Sequence, residues 1–338
     1  MGENRVTSVD VARAAGVSQP TVSRVFTAGA RVSPELRARV EAAARKLGYR
    51  PNTLARAMIK GRSNVVGLVV AYLDNPFYAE AIELLSRALK GLGYHIIIFT
   101  ASNEEDSVDL AVEDLLAHQV DGIILASVST TLRLTQEIRG AGIPLVLFNR
   151  GQDDLSIPAV TATNYAGGRK AADLLVGLGH RRIAHISGWQ KSLTGVDRMR
   201  GFLDGLAGHG LEPAACVDGR YDRETAMAAT REIFGGTDRP DAVFVGNDHM
   251  AFAVMEALIH DLGLRVPADV SVVGFDDVKM AAWRMFDLTT LRQPANEMVD
   301  AVVDMLIRLI EGKSLQRTRV EIDSVLVERG TTRRRNRE

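Results

Sequence analysis

Cysteine is nearly absent: Cys216 stands alone among 338 residues. A single thiol cannot close an internal disulfide, so the chain reads as a soluble protein of a reducing compartment, the cytoplasm. Aromatic residues are scarce at 5%, and no apolar run approaches the roughly 20 residues that span a bilayer. The opening Met1-Gly2-Glu3-Asn4-Arg5 lacks the apolar core of a secretory signal. Collagen-like, low-complexity and disordered acidic compositions are also missing. Net charge is small, at −1. What is present is 46% apolar and 25% charged. That suffices for two or three globular domains at about 150 residues each.

The small net charge conceals a polarity. Residues 1–63 carry 12 Lys/Arg against 4 Asp/Glu, whereas the other 275 residues hold 29 basic and 38 acidic groups. A basic head on an acidic body suits a head that meets a polyanion such as nucleic acid. A second basic cluster, Arg333-Arg334-Arg335 with Arg337, has no apolar periodicity. Residues 329–338 are therefore expected to form a frayed basic tail.

The head, residues 1–50, reads as three short helices. Thr7-Ser8-Val9-Asp10 has the form of a capping box in which Asp replaces the usual Glu. The helix it opens should stop at Gly16, a left-handed C-terminal residue. Ser18 then caps a second helix, Gln19 to Phe26, in which Pro20 falls in the first turn, where amides have no intrahelical acceptor. Two short helices around a glycine turn make a helix-turn-helix, whose second helix can enter the major groove. Ser33-Pro34-Glu35 opens a third helix. Its Leu36, Val40, Ala43 and Leu47 form one apolar stripe, and Gly48 closes it.

Val6 to Ser18, continued by Gln19-Pro20-Thr21-Val22-Ser23-Arg24-Val25, resembles the DNA-binding signature of the lactose repressor (LacI/GalR) family. The resemblance extends through Pro51-Asn52 into the body. It implies base reading by Gln19, Pro20 and Arg24. Side-chain chemistry agrees for two of them: Arg24 can pair bidentately with guanine and Gln19 with adenine, while Pro20 offers only an apolar contact, for example to a thymine methyl. Thr7, Ser18, Thr21 and Ser23 are placed to hold phosphates. Residues 51–63 form a hinge in which Asn52 to Ile59 is too short for stable helicity in isolation. By the resemblance, two such hinges pair on DNA and wedge the minor groove with Leu54 and Met58. Met58 stands where a leucine is expected.

Beyond Ser63 the pattern becomes strand–helix alternation. Apolar runs at 64–70, 94–100, 120–127, 143–149, 181–187, 241–247 and 269–275 suit strands buried on both faces of a parallel sheet. Helical stretches between them end at Gly93, Gly142, Gly179 and Gly263. The expected fold is thus a small all-α helix-turn-helix head plus a doubly wound α/β body. The resemblance implies that the body, residues 64–328, has two lobes like those of periplasmic sugar-binding proteins. The N-lobe is expected at 64–163 plus 292–328 and the C-lobe at 164–291.

Ligands of open α/β sheets bind beyond the carboxyl ends of strands. Tyr72, Asp74 to Tyr78, Ser127, Asn149-Arg150, Asn247-Asp248 and Asp276-Asp277 close strands here, and Arg198 follows another in the first turns of a helix. Such side chains fix hydroxyls, and aromatic rings cover a sugar face. The resemblance singles out Arg198, Asn247 and Asp276 as effector contacts, with Tyr78, Asn149 and Tyr221 as wall residues. Asn149 replaces the Asp of other members, which removes a charge. Asp248 and Asp277 are expected to act as caps or partners.

Enzymatic motifs are missing. No Gly-x-Gly-x-x-Gly follows a strand. Gly312-Lys313-Ser314 has Ile307 where a phosphate loop needs glycine. His180 and His185 lack zinc-site spacing, and no Gly-x-Ser-x-Gly elbow occurs. No metal or cofactor is expected. The resulting expectation is a DNA-binding transcriptional regulator, a repressor, with no membrane partner. It would act as a homodimer on a pseudo-palindromic double-stranded operator under a small-molecule effector, a carbohydrate. Only eight residues follow Gly330 and they carry no apolar heptads, so a dimer is expected rather than a tetramer. Two alternatives remain at this stage: control by a protein co-regulator, and a small-molecule binding protein with a non-functional head.

Overall fold

The start of the first helix shows how local chemistry sets the fold. The Thr7 side chain accepts from the Asp10 amide while the Asp10 carboxylate accepts from the Thr7 amide at 3.0 Å, closing the expected capping box. The computed structural model describes residues 6–27, 30–50, 62–101, 105–128, 131–152 and 154–333. Leu54 and Met58, the expected minor-groove residues, lie outside the described residues, as do Arg334, Arg335 and Arg337. The chain divides into two compact units, Met1–Ser63 and Asn64–Glu338.

In the first unit, α1 (Ser8–Ala15) ends at Gly16 with φ 62°, in the left-handed region. Helix α2 (Gln19–Val25) follows, with Pro20 in its first turn. Ser33 caps α3 (Pro34–Leu47), and Gly48 closes it at φ 68°. Val11, Val22, Val25 and Val40 are buried together, with Leu36, Ala43 and Leu47 packed at their edge. One expectation differs: Ser18 stands at the start of α2, but its hydroxyl bonds the Thr21 hydroxyl at 2.8 Å instead of a helix amide.

The second unit contains two parallel-sheet lobes. The first uses β1 (Val65–Val70), α4 (Pro76–Gly91), β2 (His95–Thr100), α5 (Glu105–Ala117), β3 (Gly122–Ala126), α6 (Leu132–Gly140), β4 (Leu145–Phe148) and β5 (Ala159–Ala162). The second uses α7 (Asn164–Gly177), β6 (Ile183–Ser187), α8 (Leu193–Gly208), β7 (Ala215–Asp218), α9 (Arg223–Phe234), β8 (Ala242–Val245), α10 (Asp248–Glu256), β9 (Ser271–Asp276) and β10 (Thr289–Arg292). The chain then returns through α11 (Ala295–Ile310) and β11 (Arg319–Ile322) to the first lobe, and crosses again to β12 (Val325–Val327). The sheet orders are β11-β5-β4-β3-β1-β2 and β12-β10-β9-β8-β6-β7. Among the described strands only β12 runs antiparallel to its neighbour. Each lobe therefore repeats the 2-1-3-4-5 order, with its switch point between the first and third strands.

The seven expected strands all form, trimmed by one or two residues at several ends, with β9 running one residue further to Asp276. Gly93, Gly142, Gly179 and Gly263 sit at φ between 64° and 94°, as helix-ending residues should. Strands β5, β7, β10, β11 and β12 had no strong signal because they are three or four residues long and carry polar side chains. Strand β2 corrects the expectation of two-sided burial: it is an edge strand, with Ile98 45% exposed.

Two boundaries also change. β12 pairs with β10, so residues 325–327 belong to the C-lobe sheet and not to the N-lobe. Residues 329–333 are not a frayed tail. Arg329 donates to the Leu288 carbonyl at 2.7 Å and pairs with Asp277, Thr331 is buried and donates to the Val272 carbonyl, and Arg333 reaches the Pro267 carbonyl. Basic composition concealed a segment held by hydrogen bonds to buried backbone.

Helices α7 and α8 approach most closely at two glycines. A Cβ on Gly168 would overlap the Arg198 carbonyl oxygen, and one on Gly201 the Tyr165 carbonyl oxygen. Gly201→Ala is expected to part the helices and cost ~1–3 kcal/mol, read as a lower Tm of the body. An unchanged Tm would show that the close approach is not a constraint.

Candidate functional site

In the head, burial of Val22 and Val25 against α1 and α3 turns the rest of α2 outward. Gln19, Pro20 and Arg24 are the residues of this helix left exposed. Thr7 and Ser18 are exposed as well, while Thr21 and Ser23 are half-buried. Thr7 is engaged with Asp10, Ser18 with Thr21, and Gln19 donates to the Ser8 hydroxyl at 3.3 Å. Arg37 is spent internally, donating to the Val25 carbonyl at 2.9 Å. The outward face therefore presents one amide, one apolar ring and one guanidinium, and this is a set able to distinguish base edges.

In the body, the strand order places the carboxyl ends of β1, β3, β6 and β8 at the two switch points. A cavity of about 450 Å³ opens there between the lobes. Tyr78, Asn149, Arg198, Tyr221, Asn247 and Asp276 all line it, together with Tyr72, Asp74, Asn75, Ser127 and Arg150. Its walls come from both lobes, and contacts cross between them. Asn75 Nδ2 donates to Asp276 at 3.0 Å, Thr194 donates to the Asn149 carbonyl at 3.2 Å, and the Tyr72 and Tyr221 rings meet edge-on at 6.1 Å.

Arg198 is a deeply buried cation, only 2% exposed. Its Nε donates to Asn164 Oδ1 at 2.8 Å and its Nη1 to the Gly246 carbonyl at 2.6 Å. The guanidinium lies 3.6 Å over the Phe275 ring and 3.8 Å from Asp276. A buried cation persists only with such compensation. Asp276 accepts from Asn75 and from Gln293 at 2.6 Å. Burial raises its pKa, and Arg198 opposes the rise. Asp248 lies wholly buried, accepting from the Thr290 hydroxyl at 2.6 Å and the Val278 amide at 3.0 Å. Desolvation first, then the Asp276 charge, pushes it well above the ordinary carboxylate range. Asp277 turns away from the cavity and takes Arg292 and Arg329, each at 2.6 Å. Asn247 caps α10 by accepting from the Met250 amide at 2.9 Å.

The neutral wall is equally specific. Tyr78 is buried, with its hydroxyl accepting from Asn149 Nδ2 at 3.1 Å, and burial pushes its pKa up to about 12. Asn149 Oδ1 is buried without a hydrogen-bond partner. Tyr221 packs against the end of β6, where a Cβ on Gly188 would collide with its ring. Tyr72, Ser127, Asn149, Tyr221 and Asp276 all have φ between 58° and 133°. Non-glycine residues in this region cost ~1–3 kcal/mol each and gather at ligand sites.

Residue-type rules found the strand-end members of this wall. They missed Thr194, Asp222, Arg223 and His249 as lining residues. Asp222 caps α9 and Arg223 pairs with Glu256. These residues occupy helix first turns, which reach the cavity only because the loops before them are short. Among the described residues no cluster of three or more His, Cys, Asp or Glu could hold a metal, and no helix is long and apolar enough to cross a membrane.

Comparison with known proteins gives a consistent picture. Residues 8–52 match the family of bacterial regulatory proteins, lacI family, and residues 172–332 match a periplasmic binding protein-like domain. The ribose operon repressor of Escherichia coli (strain K12) is 32% identical over 96% of this chain and 99% of its own. The HTH-type transcriptional regulator CelR of Thermobifida fusca is 33% identical over 94% of this chain and 96% of its own. Among solved structures, the lac repressor dimer bound to operator and the anti-inducer ONPF has a TM-score of 0.86 at 29% identity, covering 98% of this chain and all (100%) of its own. The CelR–cellobiose complex has a TM-score of 0.72 at 33% identity, covering 97% and 100%.

The buried Asp248–Asp276 pair gives a pH prediction. The folded body keeps a proton there that the unfolded chain releases, so its stability falls as pH rises through neutrality. The body is expected to melt at higher temperature near about pH 6 than near about pH 8.5, and Asp248→Asn should shrink that difference. An identical pH slope in the wild type and the variant would contradict this.

Proposed function

The chain belongs to the lacI family of bacterial regulatory proteins, and from that membership we propose that it is a transcriptional repressor whose grip on operator DNA is set by a small molecule held between its lobes. The observation that carries the effector half is the shared cavity. Asn75, Tyr72 and Asn149 of one lobe and Asp276, Tyr221 and Arg198 of the other face the same space. A ligand there bears on the contacts that set the lobe angle, so its preference for one angle becomes a conformational bias. Coupling of ~1–3 kcal/mol, typical of such switches, changes operator affinity some 5–150-fold.

Tyr rings, amides, Arg198 and Asp276 together suit a polyhydroxylated ligand, and a carbohydrate is the proposed effector class. The unpartnered Asn149 Oδ1 offers an acceptor for one of its hydroxyls. Relatives with this architecture include a ribose operon repressor and a regulator solved with cellobiose. These support the class. In the head, Gln19, Pro20 and Arg24 are proposed to read bases, with Thr7, Ser18, Thr21 and Ser23 at phosphates. A homodimer fits the exposed Ile98, Leu110 and Leu92 near the edge of the first sheet, and Trp283 and Met285 in the second lobe. Its place of action is the cytoplasm, where the chromosome lies, and no catalytic role is assigned.

The reading is tested with the full chain, a selected operator duplex, and a panel of pentoses, hexoses, β-glucosides and sugar acids. At least one sugar is expected to raise Tm and change operator affinity together, and Arg198→Ala should abolish both responses. Arg24→Ala should leave the sugar response intact and cost ~1–3 kcal/mol of operator affinity at each half-site. A chain that binds DNA with no panel-dependent change, or a sugar response surviving Arg198→Ala, would overturn the effector assignment.

A further inference from the structure

We propose that Ser8 is a specificity-determining positioning residue: its hydroxyl holds the Gln19 carboxamide in the orientation that reads adenine. The inference rests on the operator-reading role proposed above for Gln19. Ser8 is the first residue of α1 and Gln19 the first residue of α2, and the turn between the helices brings them together. Gln19 Nε2 donates to Ser8 Oγ at 3.3 Å. The Ser8 hydroxyl is available for this because the Thr7–Asp10 box already serves the start of α1, with Thr7 Oγ1 donating to Asp10 at 2.7 Å. That box also holds the backbone that carries Ser8.

A primary carboxamide has two N–H donors and one carbonyl oxygen. Adenine shows N7 as acceptor and its N6 amino group as donor on its major-groove edge. With one N–H on Ser8, the second N–H and the oxygen remain, which is the pair adenine requires. A carboxamide free to rotate can offer its NH₂ end to the guanine acceptors or its oxygen to the cytosine amino group. The Ser8 bond occupies one of the two N–H donors, so the carboxamide cannot turn its whole NH₂ end to the guanine acceptors and presents a donor beside an acceptor, as adenine requires. It also removes rotamer freedom that an exposed glutamine would otherwise lose on binding. Pro20, next in the chain and also exposed, has no side-chain group that competes for the amide.

The test selects duplexes from a DNA library randomised over a central block of operator length, using the full chain and three variants, followed by sequencing. Wild type should enrich adenine at a position in each half-site whose preference Gln19→Ala removes. Ser8→Ala should reduce that preference by about three- to tenfold, the range of one exposed neutral hydrogen bond. The guanine preference tied to Arg24 and the Tm of the head should stay as in wild type. Ser8→Thr, which keeps the hydroxyl, should retain the adenine preference. The proposal is overturned if Ser8→Ala reproduces the wild-type profile, if it weakens every position equally, or if the Gln19-dependent base is not adenine. A wild-type chain that enriches no sequence would overturn the DNA-reading role itself, a failure distinct from the others.

Discussion

One buried guanidinium organises the ligand-binding body. Arg198 sits beneath the cavity with almost no contact with solvent, and bare burial of such a charge would cost several kcal/mol. Its compensation is drawn from four places in the chain: Asn164 at the crossing between lobes, the Gly246 carbonyl at the end of β8, the Phe275 ring on β9, and Asp276 at its end. Asp276 in turn receives Asn75 from the opposite lobe. A continuous polar path therefore runs from helix α8 across the cleft to Asn75, the N-cap of α4. A ligand inserting between Asn75 and Asp276 competes with that path directly.

The surroundings are built to hold this arrangement under strain. Five non-glycine wall residues adopt left-handed or nearby backbone conformations at strand ends. Behind Asp276, Asp277 is gripped by Arg292 and Arg329, and Asp248 by Thr290 and the Val278 amide. These groups do not line the floor that a ligand sees, yet they orient the carboxylate that does. The C-terminal strand β12 and residues 329–333 belong to the same supporting layer, packed on the C-lobe sheet.

Much of this was legible before the fold was known. The capping box at Thr7, the left-handed Gly16 and Gly48, and the apolar strands obey short-range rules that act within one turn or one strand. The strand-end rule likewise pointed to Tyr78, Asn149 and Asp276, because ligand position follows from sheet topology. What was hidden depended on long-range contacts. Arg329 looked like part of a basic tail until its carboxylate partner, 52 positions earlier, was placed beside it. Strand β12 is too short to announce itself and joins the second lobe only through pairing with β10. His249 and Arg223 reach the cavity through helix first turns, whose direction no composition reveals. The Ser8–Gln19 bond joins two helices across a turn, and the pattern of either helix alone does not imply it.

The central claim is a coupling between the cavity and the head, and coupling must be reciprocal. The most direct measurement is calorimetric titration of an active sugar into the full chain, once alone and once saturated with its operator duplex. The account predicts that the sugar dissociation constant shifts by the same factor by which that sugar shifts the operator dissociation constant, and that Arg198→Ala erases the shift. Identical sugar affinity with and without operator would contradict it.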